Sequence, residues 1–406
     1  MENKSLHKDN RSGAQRNYAE RAMRPKGTTP RRRKSRITPG MVILRVLACI
    51  LAFVLVLVIT LYFALGMFCS GEINENGKIS ERLFITVPTF LETGAFKFIP
   101  SLYLSKTERD IIVNSNKMGD MDADVDEGLI SIGSTGKQNI LDIDTTSDKS
   151  VGEGSVGESD EPIEIHEISG ATYYGTMMVV KDPSRVSLAT IYPWRDTGVT
   201  LDELVNSHGA VGGINGGLYN SNGNTGGMPY GVIVSNGEIQ LNDPTSFAGL
   251  VLVGFTESDI LQIIDIDGMS AAEVEALVAE KKIRDAVTFQ DEASDSNNHF
   301  VQLIINDETR EMNGMGSGLN PRTAIGQRAD GAVLMFVTDG RGKSGHLGAS
   351  ASDLIEVMRE YGAVNAANLD GGSSSCMYYD GEYLMTSVTF YYSNSSWKLP
   401  AGFVVK

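Results

Sequence analysis

The spacing of apolar residues changes several times along the chain. Large apolar side chains are almost absent from the first forty residues, whereas Met41 to Phe68 is almost unbroken apolar sequence with Arg45 as its one charge. Short β-like runs punctuated by turns begin at Pro162. The pattern predicts a disordered basic tail (1–40), a transmembrane helix (41–68), a membrane-proximal segment (69–115), an acidic Gly/Ser linker (116–161) and one large domain (162–406).

The long apolar segment is typical of a permanent membrane anchor. It exceeds the roughly 20 residues that a helix needs to cross a bilayer. A cleaved signal peptide would have a core of only about 7–15 apolar residues followed by a small-residue cleavage site, which MFCSGE does not supply. Residues 1–45 contain 13 Lys/Arg and 3 Asp/Glu. We therefore expect the N-terminus to be cytoplasmic and the C-terminal domain to lie outside the cell membrane.

The large domain is predicted to be α+β, a single mixed-sheet domain with a few helices. Asn236-Gly237 and Asp380-Gly381 are hairpin turn signals between apolar runs. Predicted strands are TMMVVK, RVSLATIY, GAVGGINGG, YGVIVSNGEIQLN, FAGLVLVGF, HFVQLIIN, AVLMFVTDG, AVNAANLD and CMYYDGEYLM. Three helices are predicted, two of them from capping boxes, in TLDELVNSHG, SAAEVEALVAEKKI and SASDLIEVMREYG. Neither repeats nor regular βαβ alternation is visible, which favours α+β over a doubly wound fold.

Charge and composition exclude some functions. The net charge is −16, and the basic first 45 residues leave about −26 on the remainder, the opposite of what a nucleic-acid-binding domain shows. Three cysteines give no disulfide framework. The alternating Asp120, Asp122 and Asp124 lack the glycine and glutamate of a calcium loop. We predict no metal and no cofactor.

Four segments combine a β-like run with Gly, Asn, Asp or Arg at its end. They are GGINGGLYN (212–220), NPRTAIG (320–326), VTDGRG (337–342) and NLDGGSSS (368–375). Each segment alone is consistent with an ordinary turn. Together they place Asn, Arg and Asp side chains where loops on a rigid scaffold usually carry function, so we expect them to converge at one sheet edge.

The order GINGG, PRTAIG, TDGR, helix and NLDGG resembles the phosphodiester glycosidase family. The resemblance covers about Ile163 to Lys406 and implies hydrolysis of a sugar-1-phosphodiester. Bacterial members similar to this chain have a membrane anchor before such a domain. One departure is Ser373, where the family often has a third glycine.

Within these motifs we predict the residues that carry the chemistry. Glycoside cleavage ordinarily uses two carboxyl groups, and Asp339 and Asp370 are the acidic residues inside the four motifs. Arg322 and Arg341 offer planar forks for one phosphate group. The predicted substrate-binding residues are Asn215, Arg322, Arg341, Asn368, Gly371, Gly372 and Ser374. The N–H groups of the glycine-serine run are expected to form an anion-binding concavity.

Other readings of single residues stay open. His346 is an alternative acid or base, and Cys376 fits a packed core residue better than a nucleophile. Tyr391, Tyr392 and Trp397 are compatible with stacking on a sugar, although core packing is the commoner role of such residues.

Two functions from different classes are compatible with the sequence. The first is a membrane-anchored, extracytoplasmic glycosidase acting on a glycosyl phosphodiester in envelope or exported polysaccharide. The alternative is a non-catalytic carbohydrate- or phosphate-binding module that assists exopolysaccharide assembly. Only the enzyme requires ionisable carboxyl groups at Asp339 and Asp370.

Overall fold

The computed structural model describes residues 38–73, 78–94, 96–133, 161–294, 297–342, 345–387 and 394–406. The predicted basic tail, up to residue 37, lies outside the described residues. The chain divides into two compact units, one up to Tyr62 and one from Phe63 to Lys406. The candidate chemistry lies entirely in the second unit.

The described residues contain six α-helices. They are α1 (Pro39–Phe68), α2 (Glu81–Leu91), α3 (Lys106–Asn114), α4 (Leu201–Ser207), α5 (Ala271–Glu280) and α6 (Ala351–Glu360). Helix α1 is long and apolar enough to cross a membrane. The three helices predicted from sequence are confirmed as α4, α5 and α6, and Thr200, Ser270 and Ser350 form the capping boxes that begin them.

Nineteen strands are described. They are β1 (Ile163–Ser169), β2 (Tyr174–Val180), β3 (Val186–Thr190), β4 (Gly212–Asn215), β5 (Gly231–Ser235), β6 (Glu238–Asp243), β7 (Leu250–Thr256), β8 (Leu261–Asp265), β9 (Ile283–Gln290), β10 (Glu292–Ser294), β11 (Asn297–His299), β12 (Gln302–Ile305), β13 (Glu308–Thr309), β14 (Thr323–Arg328), β15 (Val333–Thr338), β16 (Ala363–Asn368), β17 (Cys376–Tyr379), β18 (Glu382–Thr386) and β19 (Ala401–Val405).

The strands form three larger sheets and one hairpin, β10–β11. The strand orders are β1-β2-β15-β14-β16-β12-β13, β18-β17-β4-β19-β3 and β6-β5-β9-β7-β8. The strand pairs described within these sheets are antiparallel. The predicted α+β class is confirmed, with the strands divided over several sheets.

One apolar core joins the three sheets. Met178 of the seven-stranded sheet, Phe403 of the sheet containing β19 and Phe255 of the sheet containing β7 belong to the same buried cluster. The Phe255 and Phe403 rings meet edge to face with their centroids 6.0 Å apart, a favourable aromatic geometry. Helices α4, α5 and α6 each contribute to a further cluster. The sheets therefore hold the loops between them on a rigid base.

Eight of the described strands were not predicted, namely β1, β8, β9, β10, β11, β13, β14 and β19. Near the start of β9, Arg284 and Asp285 interrupt the apolar pattern, although the Asp285 side chain is buried and accepts a hydrogen bond from Arg284. Strand β19 is only five residues long, but it pairs with β3 on one side and β4 on the other. In these strands burial follows from pairing and not from local composition.

The structure corrects the predicted linker boundary. The backbone N–H of Gly119 donates to Glu311 O at 2.7 Å, and that of Ser131 donates to Ala329 O at 2.8 Å. Val125 lies in the main core cluster. Residues 116–133 are therefore attached to the domain, because their few apolar side chains and backbone groups find partners that composition does not reveal. The rest of the predicted linker, 134–160, lies outside the described residues.

The membrane-proximal segment packs within the same unit as the domain. Helices α2 and α3 bury Leu83, Val87, Leu91, Ile112 and Val113 in a cluster of their own. A Cβ added at Gly318 of the domain would lie only 2.3 Å from the Thr89 backbone nitrogen. Helix α2 is thus in direct backbone contact with the loop that precedes β14.

Leu83→Ala is expected to lower the free energy of unfolding of the full chain by about 2–4 kcal/mol, because it removes a fully buried side chain. Leu102→Ala is the matched control, since Leu102 is 49% exposed and its truncation should cost under about 0.5 kcal/mol. Denaturant unfolding in detergent measures both. Equal effects would show that α2 and α3 contribute no core of their own.

Candidate active site

Sheet topology brings three of the four motifs together. Strand β14 lies between β15 and β16 and is antiparallel to both, so its beginning is beside the ends of those two strands. Thr323 pairs with Val337, and Ala324 pairs with Asn368. The motifs that carry Arg322, Asp339 and Asp370 therefore meet at one edge, as predicted.

The fourth motif reaches this edge from another sheet. Asn215, the last residue of β4, donates from its amide nitrogen to the carbonyl oxygen of Asp370 at 2.6 Å. Its amide oxygen accepts from the Thr323 hydroxyl at 2.8 Å and from the Cys376 N–H at 3.2 Å. Asn215 is 1% exposed. The structure thus places this side chain beneath the site as a support for Asp370 and not in the predicted contact with substrate.

Asp370 is the central titratable group. Burial raises the pKa of its carboxyl to about 7, although the Ser374 hydroxyl, the Gly371 N–H and the charge of Arg341 all act in the opposite direction. The residue itself is only partly enclosed. Asp370 therefore combines a pKa raised toward neutrality with partial exposure of the residue, a combination typical of functional sites.

Ser374 and Tyr219 extend this group into a hydrogen-bonded set. Their hydroxyl oxygens lie 2.9 Å apart, and Ser374 also bonds the Asp370 carboxyl. Burial, followed by the negative charge of Asp370, raises the pKa of Tyr219 well above its usual value. The tyrosine therefore stays protonated and keeps its O–H available as a donor.

Arg341 stands beside Asp370 in an unusual backbone conformation. Its φ of 55° is in the left-handed region. Nη1 donates to the Ser373 hydroxyl at 2.7 Å, while the buried Nε has no partner among the described residues. Burial and the charge of Arg322 lower the pKa of Arg341 to about 10, which leaves it cationic at neutral pH. A buried guanidinium N–H without a partner suits an anionic ligand.

The glycines of the last motif are required by close packing. Gly372 has a φ of +65°, and a Cβ there would lie 2.6 Å from Nη2 of Arg341. A Cβ at Gly371 would lie 2.9 Å from the Pro321 carbonyl oxygen. The Gly372 N–H donates to that same oxygen at 2.8 Å. These N–H groups are occupied within the protein, so the predicted anion-binding concavity is not formed by Gly371 and Gly372.

Asp339 is buried beneath His346. One carboxylate oxygen accepts from the Tyr174 N–H at 2.8 Å, and the other lies 2.7 Å from Nδ1 of His346. The side-chain exposures are 3% for Asp339 and 31% for His346. The aspartate that we predicted to be catalytic thus contacts the histidine, which is the member of the pair that solvent and ligands can reach.

Arg322 is held inside the protein instead of facing the site. Nη2 is paired with Glu92 and also donates to Gly318 O at 2.8 Å, while Nε donates to Ala349 O at 3.2 Å. Its guanidinium lies 4.9 Å from the centre of the Phe300 ring. The predicted two-arginine phosphate clamp is therefore reduced to Arg341, with Arg322 supporting the corner from below.

Burial bears on two further predictions, changing that for Asn368 and agreeing with that for Cys376. Asn368 is 1% exposed and donates to Phe300 O at 2.8 Å, so it is part of the strand end and not of an open surface. Burial raises the pKa of the Cys376 thiol, which agrees with its reading as a core residue. Tyr391 and Tyr392 lie outside the described residues, and Trp397 is half-buried.

Sequence reasoning missed three contributors. Tyr219 stands inside the quoted segment GGLYN, four residues after Asn215, and its position next to a glycine pair was the available signal. Ser373, the departure from the family pattern, holds Arg341. Glu92 lies outside every motif, and nothing in the sequence links it to Arg322. Among the described residues no group of three or more His, Cys, Asp or Glu side chains is arranged to hold a metal ion.

Comparison with known proteins gives relatives for this part of the chain. A mouse N-acetylglucosamine-1-phosphodiester alpha-N-acetylglucosaminidase is 30% identical over 102 residues, which are 24% of this chain and 19% of that protein. The SPbeta prophage-derived uncharacterized protein YomE of Bacillus subtilis (strain 168) is 40% identical over 65 residues, 16% of this chain and 10% of that protein. The aligned segments thus span under a fifth of these relatives.

Among solved structures, the zebrafish N-acetylglucosamine-1-phosphodiester alpha-N-acetylglucosaminidase catalytic domain, auto-inhibited by its pro-peptide, has a TM-score of 0.44 at 18% identity. The match covers 61% of this chain and 85% of that one. A hypothetical protein from Synechocystis has a TM-score of 0.37 at 15% identity, covering 60% and 62% of the two chains.

The family model described as phosphodiester glycosidase matches residues 208–406. That range contains all four motifs together with Tyr219, His346 and Ser373. The C-terminal part of the chain, residues 208–406, therefore matches the phosphodiester glycosidase family.

Proposed function

We propose that this protein is a membrane-anchored, outward-facing enzyme that hydrolyses a sugar-1-phosphodiester of envelope or exported polysaccharide. The match of residues 208–406 to the phosphodiester glycosidase family supports a glycosidase-type activity. Helix α1 and the basic residues that precede it support the anchor and the outward orientation of the domain.

One observation carries the proposal: the Asp370 carboxyl, which titrates near neutral pH, shares its surroundings with the Arg341 guanidinium. A phosphodiester brings a negative charge and a reacting sugar carbon to the same place. The Arg341 guanidinium can pair with the negative charge of the phosphate. The Asp370 carboxylate can activate the water that attacks the sugar carbon. A module that only binds sugar has no need of a carboxyl group with a shifted pKa.

In the proposed reaction the glycosidic bond between C1 and the phosphate oxygen breaks while a water oxygen bonds to C1. Ionised Asp370 accepts the proton of that water. The bonding electrons leave with the phosphate, which becomes a monoester whose growing charge Arg341 stabilises. Since the second pKa of a phosphate monoester is near 6, this leaving group requires far less protonation than an alcohol.

His346 is the second acid–base group in this proposal. Its Nδ1 is held by Asp339, which leaves the exposed edge of the ring to exchange a proton with the departing phosphate. Asp339 then acts through His346 as a positioning residue. In this pair a buried carboxylate fixes the orientation of an imidazole, as the aspartate does for the histidine in a catalytic triad.

Asp370→Asn should lower turnover of an N-acetylglucosamine-1-phosphodiester by about 10²–10⁴-fold, the range typical of a lost general base, with little change in KM. Asp380→Asn is the matched control, because Asp380 lies on an exposed hairpin turn. Release of free sugar by the full chain is the measurement. If the native protein binds a panel of glycosyl phosphodiesters but hydrolyses none, it is instead the non-catalytic binding module.

The pH profile follows from the raised pKa of Asp370. Because the ionised form is the base, kcat/KM should rise with pH and level off above about 7. Stability should change in the opposite sense: between the unfolded value near 4 and about 7 the native protein binds more protons, so the free energy of unfolding falls as pH rises. Asp370→Asn should remove this fall. A rate that declines through pH 7 would assign Asp370 as an acid instead.

Asp339→Asn and His346→Gln should each lower kcat. The kcat of the double variant should stay within about threefold of the slower single variant, because both substitutions disable the same aspartate–histidine pair. The expected loss for each is on the order of 10²-fold. Multiplicative losses in this double-mutant cycle would show that Asp339 acts independently of His346.

A further inference from the structure

The membrane-proximal segment connects the end of the apolar helix to the candidate active site. Phe63–Phe68, the last turns of α1, belong to the same compact unit as the domain. The Thr86 hydroxyl in α2 donates to Phe68 O at 2.6 Å, and Arg82 donates to Met67 O at 3.1 Å. The Phe68 and Phe90 rings meet edge to face at 6.4 Å. Helix α2 is thus fastened to the end of α1.

The other end of α2 is fastened to the site. Glu92, which follows the helix, has a side chain only 1% exposed and is paired with Arg322. Its carboxylate also accepts from the Gly318 N–H at 2.7 Å and from the Asn298 amide at 2.8 Å. A buried carboxylate with this many partners is costly to remove, so the attachment is firm.

The distance between these two attachments is short. Six residues separate Thr86 from Glu92, which is about 9 Å along a helix axis at 1.5 Å per residue. The next step is shorter still, because a Cβ at Gly371, the neighbour of Asp370, would lie 3.9 Å from Cδ of Arg322. A short chain of contacts, from Phe68 through α2 and Glu92 to Arg322 and Gly371, therefore limits how far the candidate site can lie from the end of α1.

The end of α1 corresponds to the surface of a bilayer. Residues 41–68 in helical form span about 42 Å, which equals the thickness of a bilayer with its headgroups. With α1 crossing the membrane, Phe68 lies in the outer headgroup layer. The candidate site is then tethered near the headgroup layer, within reach of membrane lipids.

The chain beyond Glu92 shows a surface suited to the same layer. Phe96, Phe98 and Leu102 are 40%, 56% and 49% exposed. The adjacent Tyr103 ring lies against the last turns of α1, since a Cβ at Gly66 would be 3.0 Å from it. Exposed aromatic and aliphatic side chains beside a membrane helix are typical of interfacial contact. We call Phe96, Phe98 and Leu102 the interfacial patch.

The interfacial patch also contains a cation. Lys97 lies in sequence between the two exposed phenylalanines, and its positive charge, like burial and the charge of Arg322, lowers the pKa of His299. A cation at this position favours anionic headgroups.

We propose that the substrate is a lipid-linked glycosyl phosphodiester, hydrolysed at the bilayer surface while the interfacial patch rests on the headgroups. This rests on the proposed function and specifies the group beyond the phosphate: a lipid embedded in the same leaflet. Hydrolysis leaves the lipid phosphate monoester in the membrane and releases the sugar. An enzyme that met only soluble substrates would gain nothing from a site fixed at this height.

The test uses the full chain in vesicles of phosphatidylcholine and phosphatidylglycerol. Two substrates carry the same N-acetylglucosamine 1-phosphate, one esterified to a long-chain alcohol within the bilayer and one to methanol. We expect kcat/KM to favour the lipid-linked substrate by about tenfold or more, because a fixed site raises its effective concentration. Equal values for both substrates would overturn the proposal.

The double variant Phe96→Ser, Phe98→Ser tests whether the interfacial patch positions the site on the bilayer. The alternative is that anchoring of the chain to the vesicle through α1 is sufficient. The double variant should lower turnover of the lipid-linked substrate at least severalfold and leave the methyl ester unaffected. Phe247→Ser is the matched control, since Phe247 is 38% exposed in the loop after β6, outside the patch. The proposal is contradicted if the double variant keeps full activity on both substrates, or if it loses activity equally on both. Absence of hydrolysis of both substrates by the native chain would instead defeat the proposed function itself.

Discussion

The position of β14 between β15 and β16 is the constraint on which the site depends. Antiparallel pairing on both sides forces the beginning of one strand to meet the ends of two others. A register shift of one residue would turn every side chain of β14 to the opposite face. The Asn215 amide then joins the end of β4, in the sheet that contains β19, to the same place through the Asp370 carbonyl. Charged groups far apart in sequence are brought together by backbone pairing and need no direct attraction to one another.

Sequence patterns predicted the parts of the fold that are locally encoded. Capping residues such as Ser270 and turn residues such as Asn236 act through their close neighbours in sequence, so α5 and the β5–β6 hairpin could be anticipated. Strands β9 and β19 could not, because their burial comes from neighbours on both sides. The same holds for residues 116–133, whose polar composition concealed their contacts with the domain.

The site shows a similar division. Motif order was sufficient to bring Asp339, Arg341 and Asp370 into one region, but it gave no information on which side chains point outward. Asn215 and Arg322 have the chemistry of ligand-binding residues and use it on the protein itself. Glu92 could not be predicted either, because nothing in its sequence surroundings suggests a special role. It is an ordinary helix-end residue by sequence, and only its long-range partners make it important.

The raised pKa of Asp370 also couples ligand binding to solution conditions. Because burial raises this pKa to about 7, the charge of the carboxyl responds to pH changes around neutrality. An arriving phosphodiester places a second negative charge nearby, which favours the protonated form. Association with the anion is therefore accompanied by proton uptake, and its heat includes the ionisation heat of the buffer. In the proposed reaction, binding would be tightest at the pH where the ionised, reactive form of Asp370 is least populated. This compromise is set by one carboxyl group and the charge of the bound molecule.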